Sequence, residues 1–244
     1  MPSPNVVILL PPSEGKAQGG VAKSRWTTQS GTFGKSLDTP RKEVAKALLA
    51  AKGGGKPLLG VQGALLSRAQ DANTQLVGAP TLPAWQRYTG VVWDHLDVGS
   101  LTATQRTRAM SSIVVVSGLH GLVTASDPIP DYRLKMGARL SPMGQLANWW
   151  REPLTASLLA YAKKAVIIDL LPNEHRGAID WAQVPQAIRV DLVTKSGGRM
   201  GGHNAKVAKG LLARHIIIAS STPAKAKEAL STFRHPEFSA KVAS

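Results

Sequence analysis

The chain has 244 residues, 43% hydrophobic and 5% aromatic, and no cysteine; it can bury a sizeable core, and it cannot form disulfides, Cys-based zinc sites, cysteine-ligated iron-sulfur clusters or a thiolate nucleophile. Thirty Lys plus Arg against fifteen Asp plus Glu give a formal charge of +15, which attracts polyanions such as DNA or small anionic substrates, but the basic residues are scattered from Lys16 to Lys241 and locate no binding face. No apolar stretch approaches the roughly 20 residues that span a bilayer, so a soluble cytoplasmic protein with no membrane partner is expected.

Residues 6–10 are continuously apolar and predict a buried strand that breaks at Pro11-Pro12-Ser13-Glu14-Gly15-Lys16. A lysine delivered by a glycine-containing turn after a strand reaches an anion in phosphate loops, and a solvated turn lysine is the alternative. The Walker pattern is missing, which argues against a nucleotide triphosphatase. Residues 17–38, rich in Gly, Ser, Thr and Lys, predict a long surface excursion. A helical period then runs over residues 39–51, with Pro40 near its start and Gly53-Gly54-Gly55 at its end. Residues 58–72 predict a second helical region interrupted by Leu59-Gly60-Val61-Gln62-Gly63. That turn distantly resembles the hairpin of helix-hairpin-helix DNA-binding elements, with Gly-x-x-Gly in place of Gly-x-Gly; a plain helix turn is the other reading.

Tyr88-Thr89-Gly90 offers a phenol either to a site or to the core. Residues 101–110 predict a short helix capped by Ser100 or Thr102. Residues 113–116 form a β-branched apolar run, as in a strand buried on both faces, ending at Ser117-Gly118-Leu119-His120-Gly121. The loop beyond carries Asp127, Asp131, Tyr132 and Arg133, and side chains just past the carboxyl end of a buried strand sit where open α/β sheets bind ligands. Residues 144–164 predict the clearest helix, with Trp149 and Trp150 on its apolar stripe and Pro153 as a kink or first-turn residue. A further buried strand over 165–170 ends at Pro172-Asn173-Glu174-His175. Alternation over 188–193 predicts an antiparallel or edge strand, and 195–202 a glycine-rich turn. A helix from His203 places Lys206, Gly210 and Arg214 on one side with Lys209 beside them. Basic groups near a helix start oppose the macrodipole, so anion binding or a solubilising face must account for them. A last helix covers 223–233, and the tail after Pro236 carries no signal.

Taken together, S-G-L-x-G, D-x-I and Y-R-L-x-M-G between Ser117 and Gly137 resemble the signature of the YaaA family of peroxide stress proteins. Further matches are Leu9 to Lys16, Tyr88-Thr89-Gly90, Trp149 to Leu154 and Lys206 to Arg214. The resemblance implies a single α/β domain with a mixed, partly parallel sheet flanked by helices. It also implies a role against peroxide and iron damage, a DNA-binding role, or an enzyme, such as a lyase, acting on hydroxylamine-type substrates. It favours Lys16, Tyr132, Arg133, Glu174 and Lys206 as catalytic groups, and Ser13, Tyr88, Asp127, Lys209 and Arg214 as substrate or anion ligands. Arg133 would clamp a carboxylate, Lys16 and Lys206 would lower each other's pKa, and Tyr132 would relay a proton. His120, His175 and His203 stand where relatives carry aromatic residues or, at the last, either; they permit an iron or axial haem ligand, without a His-x3-His spacing to support a preformed site.

Overall fold

The fold is built around the first apolar run. In the computed structural model, which describes residues 4–194, 202–219 and 222–242, all five residues of β1 (Val6–Leu10) are buried. A strand buried on both faces needs a neighbour on each side and helices above and below. β1 pairs in parallel with β2 (Ile113–Ser117) on one side and with β4 (Val166–Asp169) on the other. β3 (Gly121–Thr124) closes one edge as an antiparallel hairpin with β2. Beyond β4 lie β5 (Ala187–Thr194), parallel to it, and β6 (Phe238–Val242), antiparallel to β5. The order β6-β5-β4-β1-β2-β3 makes a mixed, partly parallel six-stranded sheet in a single α/β domain. Helix Gly34–Ala50 packs on helix Leu146–Ala162, while helix Gly202–Ala219 packs on Val91–Leu96, Ala103–Ser112 and Pro223–Thr232. Among the described residues no helix is long and apolar enough to cross a membrane.

The topology locates a crevice. From β1 the chain crosses to β2 on one side; from β4 it moves outward to β5 on the other. Neighbouring parallel strands whose connections leave in opposite directions open a gap at their carboxyl ends, here between the 10–16 turn and the 169–174 turn.

The run at residues 113–116 is buried as expected, beside β1. Two other sequence expectations change in part. The strand over 188–193 does pair antiparallel, with β6 in the tail that carries no sequence signal, but that partner makes it interior and not an edge; its residues are mostly half-buried, in keeping with the polar alternation. The 17–38 excursion is only half a surface feature. Val21–Arg25 is a mostly exposed strand paired with Pro80–Pro83, but Trp26, Phe33 and Leu37 are buried, and the helix begins at Gly34. Gly34 fits because any Cβ there would strike the Gln29 carbonyl. Elsewhere Thr102 caps its helix through a box with Gln105, Trp150 is core and donates to the Gly118 carbonyl, and Pro153 lies inside its helix. The glycine-rich turn expected at 195–202 lies, but for Gly202, outside the described residues.

Candidate functional site

Lys16 is presented by a turn laced to the 87–89 segment. Ala17 N donates to Arg87 O, Thr89 N donates to Gly15 O, and Lys16 forms a bridge with Tyr88. The Ser13 hydroxyl donates to Thr89 O, so Ser13 holds the turn and offers its proton to no ligand. The Lys16 ammonium donates to Ser13 O at 2.8 Å and lies 4.1 Å from the Tyr132 ring centroid, with the Tyr88 ring at 5.6 Å. Desolvation lowers the pKa of Lys16 to about 7, Arg133 and Arg87 adding repulsion while Asp131 and Glu14 oppose it. Lys206 takes no part in this: it is exposed on its helix, and burial replaces the pairing of two lysines expected from the sequence.

Beneath the ammonium runs a buried chain of hydroxyls. Tyr132 OH is 2.9 Å from Tyr88 OH and 2.8 Å from Ser117 Oγ, and Ser117 Oγ accepts from the backbone N–H of Leu119 and His120 at 3.3 Å. Burial raises both phenols, Tyr132 to about 12 and Tyr88 well above its ordinary 10, so both stay protonated at neutral pH. With its hydroxyl turned into this interior chain, Tyr132 presents Lys16 a ring face.

The rim is charged. Arg133 Nη2 donates to Glu14 Oε2 at 2.5 Å and its Nε to Leu59 O at 3.1 Å, while Lys135 Nζ sits 3.2 Å from Glu14 Oε1. Arg68 pairs with Asp131 at 2.7 Å and donates to Lys16 O. The rim thus sets Arg68, Arg133 and Lys135 against Glu14 and Asp131, with a partly neutral Lys16 beside them, so it is a set of paired cations and not a large net positive charge. Glu174 closes the far side, its Oε1 accepting from Gly137 N at 2.7 Å; the side chain is exposed, and Oε2 has no partner among the described residues. Arg68, Lys135 and Glu14 were missed from the sequence. Lys135 and Glu14 lie within matched motifs, but Arg68 lies on the helix Ala64–Thr74 and carries no local signal.

Other candidates lie elsewhere. Asp127 is buried and accepts from Thr32 N, Thr32 Oγ1 and Thr124 N at 2.7 to 2.8 Å, which commits its carboxylate to tying the 31–32 loop to the hairpin. Replacing Asp127 with alanine leaves those donors buried and unpaired, and should lower unfolding stability by about 2–4 kcal/mol in a denaturant titration. Arg214 donates to Leu96 O, Asp97 O and Ser100 Oγ, so it fastens its helix to the 96–100 turn. Lys209 is half-buried near Arg176, Asp169 and Asp191, and desolvation lowers its pKa to about 8.

The three histidines do not form the metal or haem site that their sequence positions suggest. His120 is fully buried, in T-shaped contact with Trp26 and Tyr132, so neither ring nitrogen reaches the surface; His175 is buried near Glu174 and Lys209, where desolvation lowers its pKa to about 4; His203 is exposed. Among the described residues no group of three His, Asp or Glu is placed to hold a metal ion. Both ring nitrogens of His120 lack partners among the described residues, and burial pushes its pKa well below 6.5. His120→Phe keeps the shape and removes the unpaired groups, and should gain about 1 kcal/mol. The unfolded chain binds a proton here below pH 6.5 that the folded chain refuses, so the wild type loses stability on acidification; the variant should lose less, as melts at pH 7 and 5 would show.

Comparison with known proteins finds relatives over most of the chain. Residues 6–243 match the family model described as "Peroxide stress protein YaaA". A UPF0246 protein of Streptomyces coelicolor is 31% identical over 94% of this chain and 89% of its own length. Another, from Corynebacterium efficiens, is 34% identical over 88% of this chain and 86% of its own, and one from Corynebacterium glutamicum is 30% identical over 93% and 91%. On the length of that match and the motifs that build the Lys16 site, the chain belongs to the family of the peroxide stress protein YaaA.

Proposed function

We propose that the chain is an enzyme that binds a small anionic substrate at the crevice beside β1 and removes a proton from it with Lys16. The supporting observation is a lysine whose pKa lies near 7, set on an aromatic face beside an arginine at a topological switch point. An amine half-neutral at physiological pH suits general-base work. Arg133 receives the substrate carboxylate in place of Glu14, and Glu174 Oε2 is left to accept from a substrate N–H or O–H. Loss of the proton next to an acidifying group, with departure of a group on the neighbouring atom, makes this a lyase reaction. An amino-acid-like compound bearing an N–O bond is the substrate class suggested by the family resemblance. The test is depletion of a panel of N-hydroxy amino acids followed by mass spectrometry. Turnover lost in Lys16→Met and weakened in Arg133→Ala supports the reading; no depletion by wild type, or equal depletion by both variants, overturns it.

One observation favours a DNA-binding stress protein instead. Gly60 and Gly63, at φ of 65° and 60°, join helix Lys56–Leu59 to helix Ala64–Thr74 in a tight hairpin, and Lys135 approaches Gly60. Such a turn can present backbone N–H groups to phosphate. Duplex affinity measured against salt separates the readings. A phosphate contact at this turn gives a steep slope that Lys135→Gln reduces by about one while Lys16→Met leaves it unchanged.

A further inference from the structure

A second cavity lies against β4 and β5 and shares no lining residue with the Lys16 cluster. It has a volume of about 590 Å³, and its lining includes Arg151, Arg176, Arg189 and Asp169 together with Ile179, Trp181 and Val184. That volume is ordinary for a small-molecule site.

The arginines are held in place without being used up. Arg176, 12% exposed, is anchored by the buried Asp169 at 2.6 Å and reaches Asp191 at 3.4 Å; Arg189 also leans on Asp191 at 3.3 Å. Arg151 is fixed through Nε to Gly177 O and through Nη2 to Asn148 Oδ1. Arg176 Nη2, Arg151 Nη1 and both terminal nitrogens of Arg189 have no partner among the described residues. Three guanidinium groups therefore face two carboxylates, and the half-buried Lys209 adds positive charge behind them. The indole is fixed too, since Trp181 Nε1 donates to Arg176 O at 3.0 Å. Oriented N–H groups and a fixed indole in the lining of one cavity call for a ligand that carries both an anionic group and a flat apolar one.

We infer that this cavity is a binding site for a small aromatic anion, its carboxylate or phosphate on Arg151, Arg176 and Arg189 and its ring system against Trp181 and Ile179. Calorimetric titration of the full chain with adenosine 5′-monophosphate and with indole-3-acetate tests it, the two probes distinguishing a nucleotide source of the anion from a carboxylate one. Saturable binding of at least one probe below about 1 mM is expected, with inorganic phosphate alone much weaker. Arg189→Gln and Arg151→Gln, both at exposed positions, should each weaken binding by about 10-fold, while Lys16→Met leaves it unchanged. Absence of binding by both probes, or affinity indifferent to both arginine changes, overturns the inference, and a loss in Lys16→Met would assign the probe to the first site.

Discussion

Lys16 is expected to react with an amine-selective acylating reagent at neutral pH while the solvated lysines remain protonated. An amine with a pKa of about 7 is mostly neutral at pH 7.5, whereas one at the ordinary 10.5 is neutral in only about one molecule in a thousand. Labelling followed by peptide mass spectrometry should give a midpoint near pH 7 at Lys16, with Lys209 next at about 8. A midpoint near 10 at Lys16 would mean that water reaches the ammonium, and the general-base reading would fail with it. Stability carries the same signature. Between about pH 7 and 10.5 the unfolded chain holds a proton on Lys16 that the folded chain has released, so folding stability rises with pH across that window and levels off above it. Lys16→Met removes that slope and, under the proposed function, lowers turnover by about 10²- to 10⁴-fold. Lys16→Arg should not rescue, because a guanidinium stays protonated in the same surroundings.

How much of this could be read from the sequence differs by kind of residue. β1, β2 and β4 announce themselves because strands buried on both faces are continuously apolar. β6 does not, because an edge strand such as Phe238–Val242 buries one end and exposes the other. The Lys16 turn, Tyr88, Tyr132 and Arg133 could be gathered through motifs at strand ends, where the topology brings them to one crevice. Spacing misled on the helix Gly202–Ala219. A four-residue period puts Lys206, Gly210 and Arg214 on one side, but a helix side is not a destination. Gly210 and Arg214 meet the 92–100 segment, Lys209 meets the acids of β4 and β5, and Lys206 meets solvent. Asp127 misled differently: a carboxylate in a loop reads as available, and only the three-dimensional position of Thr32 reveals that its acceptors are committed.

Arg41 went unremarked in the sequence as one cation in a helix, and its loss should cost more stability than any other single change considered. It is fully buried, and it donates to four backbone carbonyls: His120 at 2.9 Å, Thr28 at 3.1 Å, Ser30 at 2.7 Å and Leu122 at 2.8 Å. Desolvation lowers its pKa to about 10, opposed by Asp127 and Asp38, so the group remains a cation, stabilised mainly by carbonyl dipoles. Those carbonyls belong to two segments, the 28–30 loop and the turn entering β3, which Arg41 ties together. Arg41→Met removes the charge but leaves four buried acceptors unpaired, and should lower unfolding free energy by about 3–5 kcal/mol. Arg41→Lys should recover only part of it, since one ammonium cannot span acceptors that the planar fork reaches together. Urea titrations should show the midpoint falling with an unchanged slope, and hydrogen exchange should rise first at residues 28–32 and 120–124. A loss below about 1 kcal/mol would mean that water takes over the carbonyls. Because His120 follows Ser117 and Leu119 in the turn that supports Tyr132, loosening this anchor should also let water toward Lys16. The labelling midpoint of Lys16 in Arg41→Lys should then move upward from about 7, which makes the buried arginine a positioning residue for the site as well as a structural one.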